Sequence, residues 1–216
     1  MALCSISLWS ADLASLKEQI KKVEDYADYF HIDVGDGHYI PTLLFFPDIV
    51  KAVRRYTKVP FEVHLMTNNT ESFIEPFIEA GADLIDIHLD ACINGFNAVK
   101  SIKQKGKKAG VVLSPDDDIA ILEPFFEQQL LDVVVCLGTR PGVKGKDLDE
   151  KAFTRITDVK VLLKRYDSDY VIIEADGGIR KHTVERLVSS GVKMLVPGSL
   201  AFNEEGLETL SWLKSL

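Results

Sequence analysis

Residues 31–38 read His-Ile-Asp-Val-Gly-Asp-Gly-His, and the first four alternate polar with apolar. Such alternation marks a strand and puts His31 and Asp33 on one face. An imidazole beside a carboxylate can hold a metal ion or move a proton. The strand halts at Gly35-Asp36-Gly37, a turn sequence, so both groups sit where a strand meets a loop. Further along, His64 stands in Val-His-Leu-Met, His88 ends an apolar run, and Asp176 precedes Gly177-Gly178. Ser7 lies near the end of the first apolar stretch.

A repeated pattern must bring these groups together. Short apolar runs at 3–8, 27–34, 61–66, 84–89, 109–113, 133–137, 170–175 and 194–196 read as strands. Stretches with helical spacing follow at 13–23, 49–56, 70–80, 98–105, 119–126, 153–166, 183–190 and 207–216. Buried strands alternating with amphipathic helices imply a parallel sheet covered by helices. Eight such units in 216 residues point to a closed (β/α)8 barrel of the TIM type, with a doubly wound open sheet as the alternative. No linker or low-complexity stretch interrupts the chain, so one domain over 1–216 is expected.

Barrels carry their working residues at the carboxyl ends of the strands. Closure would therefore bring Ser7, His31, Asp33, His64 and Asp176 to one mouth. Two imidazoles and two carboxylates suit one divalent ion, zinc first, with manganese, iron or cobalt as alternatives. Singly, each reads as a hydrogen-bonded core histidine or a turn-forming aspartate. Together they are costly to bury unpaired, which favours the joint reading. His88 has no partner within its own motif and is read as structural, or as a support behind the ligands.

A second cluster is rich in glycine: Gly142-Val143-Lys144-Gly145, Gly177-Gly178 and Gly198-Ser199 follow the last three strands. Barrels often bind phosphate on the loops after strands seven and eight. Glycine lets backbone N–H groups approach an anion, and a following helix N-terminus adds a favourable dipole. Arg140, Lys144 and Lys146 would add positive charge. The chain as a whole carries −8, and its densest cationic run, Lys103, Lys105, Lys107 and Lys108, reads as a solvated helix end. Nucleic acid is not an expected partner. No basic leader or span-length apolar run is present, and Cys4, Cys92 and Cys136 are scattered. A soluble protein of the reducing cytoplasm, with no membrane partner, is expected.

Several of these stretches resemble one known family. His31-Ile-Asp-Val-Gly-Asp-Gly-His-Tyr-Ile-Pro41, Val63-His-Leu-Met66, Glu79-Ala-Gly-Ala-Asp83, Glu174-Ala-Asp-Gly-Gly178 and Gly198-Ser199 look like signatures of the ribulose-phosphate 3-epimerase family. Ser5-Ile-Ser-Leu-Trp-Ser-Ala-Asp12 is similar to its first-strand motif. The resemblance runs nearly end to end and includes the allulose-6-phosphate 3-epimerase branch. It implies that His31, Asp33, His64 and Asp176 hold the metal. Asp33 and Asp176 would also be the acid/base pair, acting on opposite faces of a phosphorylated ketose. It further implies that Ser7 and His64 contact substrate. Gly142, Val143, Lys144, Gly145, Gly177, Gly178, Gly198 and Ser199 would line its phosphate end. A homo-oligomer is also implied.

The chain departs from that pattern in places. Gly35 and Leu137 stand where the family often has methionine, leaving only Met66. Thr42-Leu-Leu-Phe-Phe46 replaces an Asn-Leu-Thr-Phe-Gly run, and Thr139-Arg-Pro-Gly-Val-Lys-Gly-Lys146 replaces Val-Glu-Pro-Gly-Phe-Gly-Gly-Gln. We expect these changes to spare the ligands and alter the pocket walls, with Gly35 marking room for a different substrate. A ketopentose phosphate is the leading substrate expectation, and a ketohexose phosphate the alternative. Related decarboxylases use an Asp-x-Lys-x-x-Asp run, but Val34 and its neighbours supply no amine. A silent barrel that only binds sugar phosphate is the remaining reading, disfavoured because it would have no reason to keep the four ligand-type groups.

Overall fold

The computed structural model describes residues 2–216. Eight strands close into a barrel in chain order: β1 (Leu3–Ser7), β2 (Tyr29–Gly35), β3 (Phe61–Met66), β4 (Leu84–His88), β5 (Lys108–Leu113), β6 (Val133–Leu137), β7 (Ile172–Asp176) and β8 (Met194–Leu195). All pair in parallel, and β8 returns to β1 through Leu3 with Met194 and Cys4 with Leu195, so no sheet edge is left open. Around them lie α1 (Leu16–Val23), α2 (Pro47–Arg54), α3 (Glu71–Ala80), α4 (Gly95–Gln104), α5 (Glu123–Glu127), α6 (Lys151–Arg165), α7 (Lys181–Ser190) and α8 (Gly206–Ser215). This is the (β/α)8 barrel expected from the strand and helix pattern.

Alternation along the strands separates two cores. Phe30, Ile32, Val63, Leu65, Ile85, Ile87 and Ile173 pack outward, in one cluster with Ile20, Val50, Phe77 and Val99 of the helices. Each such side chain contributes roughly 1.5–3 kcal/mol by leaving water. The opposite strand faces carry a smaller cluster inside the barrel: Tyr29, Leu84, Val112, Val133, Val135, Leu137 and Met194. Much of the rest of that inner face is polar. Ser5, His31, Asp33, Glu62, His64, Asp86, His88 and Glu174 are all buried.

The element ends differ from the periodicity by a few residues, for local reasons. Asp12 accepts from the Ala14 N–H at 3.0 Å, so residues 13–15 form a tight 3-10 turn before α1. Asn94 accepts from the Asn97 N–H at 3.0 Å and starts α4 three residues before the expected start. Helix α5 is cut to five residues behind the 3-10 turn Ile119–Leu122. Gly81, at φ 109°, ends α3 where expected.

Candidate active site

Four strands deliver the polar groups. Ser7 is the last residue of β1, His31 and Asp33 sit two apart on β2, His64 lies on β3, and Asp176 is the last residue of β7. The register sets Ser7 level with His31, and Asp33 level with His64. The Ser7 hydroxyl donates to Asp33 Oδ2 at 2.7 Å. Asp33 Oδ1 lies 3.5 Å from His31 Nε2 and 3.8 Å from His64 Nδ1. His64 Nδ1 is also 3.7 Å from Asp176 Oδ2. One ligand atom from each of His31, Asp33, His64 and Asp176 falls within a 4.8 Å group.

These atoms fit a cation. His31 Nε2 and His64 Nδ1 are buried without a hydrogen-bond partner. Leaving two such nitrogens unpaired in the interior is costly. Zinc with ligands about 2.0–2.2 Å away sets tetrahedral neighbours roughly 3.4 Å apart, close to the spacings here. Both orphaned nitrogens and both carboxylates border the same small space.

Without a cation, the carboxylates separate in acidity. Burial pushes Asp176 up to about 7, reinforced by the neighbouring Asp33 and opposed by His31. Burial also acts to raise Asp33, but His31, His64 and the Ser7 hydroxyl outweigh it and hold that carboxyl below its ordinary value. Burial works against a charged His31, yet Asp33 and Glu62 hold it well above the usual imidazole value. Burial, with repulsion from His88 and His31, pushes His64 well below it. Two carboxyls of opposite tendency are what an acid and a base require. A bound divalent ion would favour the charged form of both.

The glycine loops meet the same cavity. Gly142, Val143, Lys144, Gly145, Gly177, Gly178, Gly198 and Ser199 line it with Ser7, Asp33, His64 and Asp176. Gly178, at φ 72°, leaves no room for a side chain: a Cβ would stand 2.6 Å from the Leu148 backbone. The chain then enters α7, whose N-terminus follows the Gly177-Gly178 turn. Of the expected cations, Arg140 and Lys144 line the cavity, whereas Lys146 does not. Arg180, not anticipated, lines it as well and donates to the Ile179 carbonyl at 3.0 Å. Leu137 and Met66 are wall residues, as expected.

Gly35 is a correction. It is not a wall residue, and a Cβ there would strike the Thr42 carbonyl and stand 2.7 Å from Ile40 Cδ1. The loop folds back into the space a side chain would need, so the missing methionine opens no pocket.

Below the ligands lies a layer that the sequence reading did not single out. Glu62 shares its strand face with His64, Asp86 with His88, and Glu174 with Asp176. The two-residue spacing that drew attention to His31 and Asp33 marks all three. Glu62 Oε2 lies 3.0 Å from His31 Nδ1 and accepts from the Ser5 hydroxyl. Burial opposes its charge, but His31 holds Glu62 down at about 2. Asp86 and Glu174 are pushed well above their ordinary values, first by burial and then by the Glu62 charge. His88 meets His64 edge to edge, with Nε2 atoms 2.9 Å and ring centroids 5.1 Å apart, and burial pushes it down to about 3.

The ribulose-phosphate 3 epimerase family model matches residues 3–202. Ribulose-phosphate 3-epimerase of Bacillus subtilis (strain 168) is 37% identical over 199 residues, 92% of this chain and 91% of that protein. The chloroplastic enzyme of Arabidopsis thaliana is 34% identical over 92% of this chain and 70% of its own length. That of Aquifex aeolicus (strain VF5) is 31% identical over 100% of this chain and 97% of its own. Among solved structures, 3-keto-L-gulonate-6-phosphate decarboxylase of Vibrio cholerae superposes with a TM-score of 0.74 at 15% identity, over 99% of this chain and 95% of that one. That likeness is one of fold.

Proposed function

The chain belongs to the ribulose-phosphate 3-epimerase family of carbohydrate isomerases, and from that premise we propose a metal-dependent epimerase that inverts C3 of a ketose phosphate. The observation that carries this reading is the group of four ligand atoms within 4.8 Å, two of them orphaned imidazole nitrogens, with Asp33, His64 and Asp176 lining the glycine-rich cavity. Inverting a carbon beside a ketone means removing a proton from one face and returning one to the other. Asp33, held ionised by its neighbours, is the base for one face. Asp176, at the end of β7, enters the step carrying a proton and is the acid for the other. The C3–H bond breaks to Asp33, and Asp176 delivers its proton to C3 from the opposite side. The reverse reaction exchanges their roles. Ser7 steadies the Asp33 carboxylate through its 2.7 Å hydrogen bond and meets substrate from the same wall.

His31, Asp33, His64 and Asp176 would hold the ion, zinc first, with manganese, iron or cobalt as the other candidates. When bound, it would stabilise the negative charge that develops on the substrate oxygens. Amides of Gly142 to Gly145, Gly177, Gly178, Gly198 and Ser199 would receive the phosphate, with Lys144 adding charge and His64 bordering the sugar. D-ribulose 5-phosphate and D-xylulose 5-phosphate are the leading pair, and a ketohexose phosphate such as allulose 6-phosphate the alternative. Three free cysteines suit a cytoplasmic setting. Leu43 and Ile93, 80% and 86% exposed, are apolar surface that a homo-oligomer would cover. Among the described residues no helix is long and apolar enough to cross a membrane.

The test is a panel of ketopentose and ketohexose phosphates, each followed for exchange of the C3 proton with deuterated solvent. Metal-loaded wild type should exchange one class strongly, and Asp176→Asn should abolish turnover while keeping the fold. Loaded wild type that exchanges none of them, yet still binds them, would leave a silent sugar-phosphate-binding barrel.

A further inference from the structure

A neutral imidazole binds a cation only through the nitrogen that carries no proton. What sits on its other nitrogen therefore decides whether it can serve. The two histidines here face the common space with different atoms. His31 presents Nε2, and its Nδ1 lies 3.0 Å from Glu62 Oε2. His64 presents Nδ1, and its Nε2 lies 2.9 Å from His88 Nε2.

We propose that Glu62 and His88 are positioning residues that receive the ring protons of the two ligand imidazoles in their metal-binding tautomers. Glu62 accepts the proton of His31 Nδ1, and His88 Nε2 accepts that of His64 Nε2. The inference rests on the metal-binding reading above and deepens it.

The two supports are unequal. An ionised carboxylate can only accept, so Glu62 leaves His31 one productive form. The Ser5 hydroxyl donates to the same carboxylate and fixes its place. An imidazole can accept or donate, so His64 and His88 have two arrangements. In one, His64 donates from Nε2, its Nδ1 is bare, and His88 carries its own proton on Nδ1. In the other, His88 donates, His64 is protonated on Nδ1, and it cannot bind a cation. Either choice leaves His88 Nδ1 without a partner inside the protein. No competing hydrogen bond at that atom selects between them. The cation makes the choice by requiring a bare His64 Nδ1. His31 is thus preset, and His64 is recruited. Tyr39, whose ring centroid lies 5.0 Å from that of His88, packs on the His88 ring and holds it in place for this exchange.

The experiment compares wild type with Glu62→Leu, His88→Phe and His88→Gln as full-length, metal-stripped proteins. Zinc affinity is read by competition with a chromophoric chelator, and folding by thermal melting. Loss of such a support typically costs roughly 10–100-fold in metal affinity. Glu62→Leu and His88→Phe should lose about that much. His88→Gln, whose amide oxygen can accept the same proton, should recover most of it. Nitrogen-15 spectra of zinc-loaded wild type should show protons on His31 Nδ1, His64 Nε2 and His88 Nδ1. Folded Glu62→Leu and His88→Phe binding zinc within twofold of a zinc-binding wild type would overturn this proposal alone. A proton on His64 Nδ1 in the loaded wild type would do the same, even if the variants fail to fold. Wild type that binds no zinc, manganese, iron or cobalt would overturn the metal reading and this proposal with it.

Discussion

Lys144 reaches across the barrel mouth to Trp9: its Nζ donates to the Trp9 carbonyl at 2.9 Å and stands 5.3 Å from the centroid of the indole. Lys144 comes from the loop after β6, and Trp9 from the turn after β1. Both line the cavity, so the contact ties the loop down over it. An exposed cation–π contact contributes about 0.5–1 kcal/mol. Lys144→Ala should therefore speed amide exchange across residues 142–146 by roughly two- to fivefold, with the barrel strands unchanged. Hydrogen exchange read by mass spectrometry measures this. Equal protection in the two proteins would remove the latch.

Ile40 occupies the ground between two loops. It would stand 2.7 Å from a Cβ on Gly35 and, through its own Cβ, 2.7 Å from one on Gly142. At Gly35 the second obstacle is the Thr42 carbonyl, which is backbone and cannot swing aside. Gly35→Ala should cost about 1–3 kcal/mol, as overpacked cores do, and Gly35→Met more. Urea midpoints of the two variants check this. Adding Ile40→Ala should restore only part of the loss, because the carbonyl stays. Wild-type stability in Gly35→Met would mean that the loop yields and the position is open after all.

That position also shows where reading the chain stops. The missing side chain is visible in the sequence, but what fills its place comes from a loop with no periodicity to read. The ligand set was legible for the opposite reason. Strand alternation fixes which residues share a face, and closure of a barrel brings strand ends together, so His31, Asp33, His64 and Asp176 needed only the strand count. Glu62, Asp86 and Glu174 obey the same rule. In a linear chain, however, each is one more acid two residues before a histidine or aspartate, and only closure puts Glu62 and Glu174 beside His31. His88 reads from the sequence as structural or as a support behind the ligands, and which ligand it meets is hidden there because His64 lies on the neighbouring strand. Helix starts shifted where caps such as Asn94 act before the apolar spacing begins.

Asp86 and Gly110 are opposite each other on β4 and β5. A Cβ on Gly110 would collide with Asp86 Oδ1 and lie 3.0 Å from its Cγ. The Asp86 carboxyl is fully buried, with neither oxygen hydrogen-bonded to protein. Gly110→Ala alone should cost about 1–3 kcal/mol. In the Asp86→Ala background the same substitution has room and should cost much less. A double-mutant cycle on thermal or urea unfolding should give a coupling of about 0.5–3 kcal/mol. Simple additivity would show that the carboxyl is free to move away.

Asp36 ties the loop after β2 to the one after β3. Its Oδ1 accepts from the His38 and Tyr39 N–H groups, and its Oδ2 from that of Asn68, each at 2.8 Å. Burial acts to raise its pKa, but the three amides outweigh it and hold the carboxyl below its ordinary value. A carboxylate with a lowered folded pKa stabilises the protein above its unfolded value, about 3.9. That stabilisation fades as pH falls through the folded value, where the native state also takes up the proton. Asp36→Ala should therefore cost about 0.5–2 kcal/mol at neutral pH, the range found for capping side chains. The gap between it and wild type should hold down to about pH 4 and narrow only below that. Urea midpoints of the two proteins between pH 7 and 3 measure the gap directly. A gap that stays constant to the acid limit, or widens there, would mean that the charge on Asp36 does not hold the two loops together.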